Sequence, residues 1–207
     1  MGIYAELLGD VILPKIAFVR QSFPDERLSD IPGAMAKALQ RPETLARIQQ
    51  GEKVALTVGS RGIQNLPLIV KTLVHQIRSR GADVFLVPAM GSHGGATASG
   101  QREMLLGLGI DPKKVGAEIH DSMDVQQVGT LQDGLPVYIS KVALEADHIV
   151  LLNRIKPHTA FRGPVESGLI KMLTIGLGKQ KGAEACHAHG FEHMARHLIE
   201  MGSMLLS

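Results

Sequence analysis

Between Val54 and Leu108 the chain twice runs from a β-rich apolar segment through a glycine-bearing polar loop into helical periodicity, and this alternation limits the possible folds more than any other feature. VALTVG, from Val54, leads into Ser60-Arg61-Gly62 and a periodic stretch from Leu66 to Arg80 that stops at Gly81. DVFLVPAM, Asp83 to Met90, leads into GSHGGATASG and a second helical stretch, Gln101 to Leu108, halted by Gly109. Such alternation predicts parallel βαβ units, and hence an α/β fold with an open, mostly parallel sheet flanked by helices. HIVLLNRIK, His148 to Lys156, supplies a third strand, while Gln132-Asp133-Gly134 between β-like pieces predicts a short β-hairpin insertion. Upstream, Leu13 to Arg20 reads as another strand and Asp30 to Gln50 as two helical pieces divided at Arg41-Pro42.

The 207 residues, 44% of them apolar, provide ample core for a single α/β domain spanning 1–207. A net charge of +2 with dispersed Lys and Arg, and 3% aromatic residues, argues against a nucleic-acid partner. Apolar runs fall short of the roughly 20 residues a membrane span needs. One cysteine excludes an internal disulfide framework, so a cytoplasmic setting is expected. The amphipathic end FEHMARHLIEMGSMLLS stops abruptly, which suggests a fragment of a longer protein. The apolar surface left there would be covered by a carboxyl-terminal domain or by a second subunit.

In an open α/β sheet, ligands sit beyond the carboxyl ends of the strands. Three such ends carry polar groups here: Ser60 and Arg61; Ser92 and His93; Asn153, Lys156 and His158. The glycines around His93, Gly94 among them, let backbone N–H groups approach an anion while the imidazole stays free for proton transfer. The loop has neither the Walker A ending nor the Rossmann spacing, and a flexible turn with an incidental histidine is its plainer reading. Arg61 could hold a carboxylate or phosphate through two hydrogen bonds, or simply be solvated. Pro157 restricts the chain before His158, which suits a positioned base and equally a structural histidine. Lys171 lies in the apolar run SGLIKMLTIG: buried, its amine would lose basicity and become a usable nucleophile, whereas snorkelling would keep its head in water. His187, His189, His193 and His197 could bind a transition metal or form a solvated face, and no HExxH pattern is present.

Together these residues resemble the amino-terminal domain of the nickel-dependent lactate racemase family. The resemblance runs from about Leu13 to His197 and rests on the Ser60-Arg61 loop, GSHGG, and the path from Pro157-His158 through Ser167-Gly168 and Lys171 to His187. It implies that His93 and His158 are catalytic acid/base histidines on opposite faces of the substrate. It further implies that Lys171 tethers a nickel-pincer nucleotide (pyridinium-3-thioamide-5-thiocarboxylic acid mononucleotide), that His187 completes the nickel coordination, and that Arg61 helps hold the ligand. Ser92, Gly94, Ser167 and Gly168 fall in the implied cofactor-binding loops. Gly62 stands where the family motif has proline, and Val58 where lactate racemase carries aspartate. FRGPVESG lengthens the segment between His158 and Lys171, which makes Lys179 and Lys181 alternative tethers.

The implied activity is racemisation or epimerisation of a small 2-hydroxy acid or related α-hydroxy compound by reversible hydride transfer to the cofactor. Two other classes use the same residues: a metal- or nucleotide-binding domain without isomerase activity, and a metal-dependent hydrolase relying on His193 or His197.

Overall fold

The computed structural model describes residues 3–12, 14–24, 26–41 and 44–207. After α1 (Ile3–Leu8) and α2 (Ile31–Leu39) come β1 (Lys53–Val58), α3 (Leu66–Arg78), β2 (Asp83–Pro88), α4 (Ala98–Gly107) and α5 (Pro112–Val115). The hairpin β3 (Val125–Thr130) and β4 (Pro136–Ser140) precedes α6 (Lys141–Leu144) and β5 (His148–Val150). The chain closes with α7 (Leu169–Lys171), a π-helical segment (Met172–Gly176), α8 (Lys179–His187) and α9 (Phe191–Leu206).

The main sheet has the order β2-β1-β5, and β1 runs parallel to both neighbours. The α/β expectation therefore holds, with its parallel sheet and its antiparallel hairpin. Five consecutive residues are buried in β1 and in β2, as expected of strands covered on both faces. The period of two then sorts them. Val54, Leu56, Val84 and Leu86 join Val70, Leu73, Val74 and Ile77 of α3 in one core, while Ala55, Phe85 and Val87 meet Ile139, Met172 and Leu173 in another. The second layer is decisive for the site, because it seats the π-helical segment against the sheet. A third cluster, with Val137, Met194, Leu198 and Met201, joins the hairpin to α9.

The hairpin turns at residues 132–134, where Gly134 has φ 86° and the Leu131 N–H donates to the Leu135 carbonyl at 2.8 Å. Several expected elements are shorter or missing. Residues 14–20 form no strand, and Ile16 and Phe18 stand exposed; Leu13 lies outside the described residues. Pro42 also lies outside them, and residues 44–50 make turns in place of a second helix, held by the Thr44 hydroxyl on the Leu39 carbonyl at 2.8 Å. The third strand ends at Val150, well before Lys156. Beyond it the Leu152 N–H donates to Thr57 Oγ1 (3.1 Å) and the Lys156 N–H to Ser167 Oγ (2.7 Å), so side chains replace the ladder.

Candidate functional site at the strand ends

Parallel pairing puts the carboxyl ends of β1, β2 and β5 on one edge, and the loops that follow carry the candidate residues. Past Pro88 the chain turns at Gly91, whose φ of 60° brings its N–H to the Gly176 carbonyl at 3.2 Å. A Cβ there would lie 3.1 Å from Ile175 Cγ2, so glycine permits the close approach of this loop to the π-helical segment. Two residues later, His93 Nδ1 lies 2.5 Å from Ser60 Oγ, a side-chain hydrogen bond that ties the end of β2 to the end of β1. Burial lowers the His93 pKa from the ordinary histidine value, and the Arg61 and Lys171 cations lower it further. Ser92 is exposed beside it, whereas Gly94 (φ 68°) presses against the backbone of Gly100, where a Cβ would clash at 2.6 Å.

His158 enters from the third strand end. Its N–H donates to Glu166 Oε2 at 2.7 Å, its Nδ1 accepts from the Ala160 N–H at 3.1 Å, and its ring packs on Phe161 with centroids 4.4 Å apart. With Nδ1 accepting, the neutral ring carries its proton on Nε2. Burial lowers its pKa first, followed by the Lys171 and Lys156 charges, with Glu166 opposing them. Glu166 also accepts from the Gly163 N–H at 3.2 Å and thereby frames the whole 158–166 loop. Nothing in the sequence marked it.

Lys171 ends α7 where the helix widens into a π turn, a local geometry frequent at functional sites. It is half-buried, its Nζ lies 6.0 Å from the Phe161 ring centroid, and desolvation followed by the Lys156 charge lowers its pKa. The sequence alternatives thus resolve toward a partly desolvated amine. Just before it, Gly168 (φ 84°) turns the chain, and its carbonyl accepts from Asn153 Nδ2 at 2.8 Å. The Ser167 hydroxyl is occupied by Lys156 on both sides, donating to its carbonyl at 2.5 Å and accepting from its N–H. Ser167 and Gly168 therefore shape the loop under Lys171.

His187, on the last turn of α8, donates from Nδ1 to the Ala183 carbonyl at 2.6 Å. This fixes the tautomer and leaves the Nε2 lone pair of an exposed ring available to a metal. Its ring meets Phe191 edge-on at 5.9 Å, and His158 lies 6.2 Å from the same phenyl ring. Arg61, His93, His158, Lys171 and His187 thus form one electrostatic neighbourhood drawn from three strand ends, α7 and α8. This donor set fits a covalently anchored metal cofactor: a less basic amine for attachment and an oriented imidazole for a nickel-like ion.

The remaining candidates fall elsewhere. Lys181 is exposed, with Nζ 5.9 Å from the Tyr138 ring centroid. Lys179 is fully buried, with Nζ donating to the Pro88 carbonyl (2.5 Å) and Gln101 Oε1 (3.0 Å). Asp133, His189 and His197 bring ligand atoms within 4.8 Å of one another and could hold a metal ion. There, however, His197 Nε2 sits 2.9 Å from Asp133 Oδ2, and Arg196 already places a guanidinium 3.0 Å from the same oxygen. His193 is exposed. Cys186 is buried and its thiol is pushed up to about 11, which favours the protonated thiol at neutral pH.

A lactate racemase from Thermoanaerobacterium thermosaccharolyticum is 29% identical over 169 residues, covering 70% of this chain and 38% of that protein. The lactate racemase N-terminal domain family matches residues 10–198, a span that contains every group of the strand-end site. With the three strand ends, the π-helical lysine and the oriented His187 all inside that match, the chain belongs to the lactate racemase N-terminal domain family.

Proposed function

We propose that the protein racemises or epimerises a small 2-hydroxy acid or related α-hydroxy compound, with a nickel-pincer nucleotide attached at Lys171 and its nickel held by His187. When bound, that group supplies a pyridinium ring able to accept and return the hydride of the substrate C2 carbon. The chain's own residues handle the proton. One imidazole in its neutral form takes the hydroxyl proton as the substrate is oxidised to the 2-keto level: His93 through Nε2, or His158 through Nδ1 in place of its bond to the Ala160 N–H. The other, entering the step charged, returns a proton to the carbonyl oxygen when hydride comes back to the opposite face. Arg61 fits the substrate carboxylate with two parallel hydrogen bonds. Lys171 is preferred over Lys179 as the point of attachment because the Lys179 amine is spent on Pro88 and Gln101 inside the protein.

The observation carrying this reading is that His93 and His158, from different strand ends, both sense the Lys171 charge and are both held below the ordinary histidine pKa. Neutral imidazole is the form a hydroxyl-proton acceptor requires. The test is loss of optical rotation across a panel of chiral 2-hydroxy acids, using protein produced together with the cofactor pathway. Racemisation of one substrate, reduced roughly 10²- to 10⁴-fold by His93→Asn or His158→Asn, is expected. Full turnover in both variants would overturn the assignment. The Asp133, His189 and His197 group favours the second reading, a metal-dependent hydrolase. That reading requires zinc-supported hydrolysis abolished by His197→Ala.

A further inference from the structure

We propose that Lys179, acting through Gln101, is a positioning residue that sets the loop carrying His93 for proton transfer. The inference rests on the reading of His93 as an acid/base group, and its structural part can be tested separately.

Lys179 occupies its place against three physical penalties. It is fully buried, although burial penalises the charged amine, and it has a φ of 54°, a left-handed conformation that a side chain other than glycine adopts only under constraint. It also begins α8, a helix of nine residues, so its positive charge stands at the positive end of the helix dipole. Strain gathered on one residue persists only where the surroundings over-determine it, and it collects at functional sites. Burial brings the Lys179 pKa down to about 8, with Asp121 acting in the opposite direction.

What Lys179 touches identifies the use of that strain. Its Nζ donates to the Pro88 carbonyl, where β2 ends, at 2.5 Å, and to Gln101 Oε1 at 3.0 Å. With that oxygen engaged, the Gln101 amide is oriented, and Nε2 donates to the Gly91 carbonyl at 2.8 Å and to the His93 carbonyl at 3.2 Å. Gln101 is itself fully buried. One relay therefore runs from the end of β2 through a lysine and a glutamine to both sides of Ser92, and it reaches the backbone of His93. From above, Ser60 Oγ holds the ring of the same histidine. The imidazole is located by its backbone below and its Nδ1 above, leaving Nε2 for the substrate.

Two variants separate the ends of the relay. Lys179→Met keeps the stem and removes the donors. Gln101→Glu still accepts from Lys179 but can no longer donate to Gly91 and His93. In both, hydrogen exchange at the amides of residues 92–97 is expected to quicken at least tenfold. In both, the His93 titration, followed by NMR of the ring proton, should move up towards the free-histidine value while that of His158 stays in place. In the cofactor-loaded enzyme kcat should fall at least tenfold with KM changed less than twofold. A folded Lys179→Met protein with unaltered loop exchange and unaltered His93 titration overturns the proposal. Should Lys179→Met fail to fold, Gln101→Glu decides the matter by the same two readouts. If loop exchange and titration change as expected but His93→Asn retains full turnover, the relay stands and the catalytic reading of His93 fails.

Discussion

His93 and His158 reach the same state by different routes. His93 is lowered by burial, Arg61 and Lys171; His158 by burial, Lys171 and Lys156 against the pull of Glu166. Lys171 is common to both, so removing its charge must raise both values. In Lys171→Gln, histidine ring-proton NMR is expected to show both titrations moving up towards 6.5, and the absence of movement in either would contradict the shared neighbourhood. The stability consequence has a definite sign. Both folded pKa values lie below the unfolded value of about 6.5, so the contribution of the neutral rings is complete above that pH and is lost as pH falls through the folded values. Urea midpoints measured from pH 7 down to 5 should therefore drop less in His93→Asn than in the parent chain. At this scale the sequence was legible where chemistry is rare: a histidine among glycines, a histidine after proline, a lysine in an apolar run. It was silent on Glu166 and Gln101, because a carboxylate in a loop and an amide at a helix start look like ordinary surface residues until their backbone partners are known.

Among the elements, the well-read ones bury a continuous apolar run. β1 and β2 needed only their composition, since both faces are covered, and α3 needed only its spacing of Leu66, Val70, Leu73, Val74 and Ile77. Leu56 sits fully buried at the centre of the sheet, and Leu56→Ala is expected to destabilise by about 2–5 kcal/mol in urea unfolding. The segment after β5 was misread because its backbone hydrogen bonds go to Thr57 and Ser167, partners far away in sequence. The same holds for the helix bearing Lys171: its apolar composition predicts a helix, but the widening into a π turn follows from packing against β2 and its loop. Gly91 is the test of that packing. Gly91→Ala must hold φ 60° and push on Ile175, and a loss of about 1–3 kcal/mol is expected by the same measurement. An unchanged midpoint would show that the loop and the π-helical segment are not locked together.

Across the molecule, two layers on the sheet fix the strand ends, and the third cluster brings α8 and its histidine to them. The α/β class and the convergence of strand-end loops followed from the alternation of patterns; the order β2-β1-β5, with the first strand in the centre, did not, because nothing local encodes which strand lies between the others. Two groups of histidines also separate at this scale. His187 and His158 lie against the same Phe191 ring, while His197 is buried against Asp133 and Arg196. Retained nickel should accordingly fall at least tenfold in His187→Ala and remain unchanged in His193→Ala. The proposed attachment of a nickel-bearing nucleotide at Lys171 is tested by intact-mass spectrometry combined with metal analysis on protein produced with the cofactor pathway. A covalent adduct that maps to Lys171, about one nickel per adduct, and loss of both in Lys171→Ala are expected. An unmodified chain without nickel, or a Lys171→Ala variant that keeps the adduct and full activity, would contradict it.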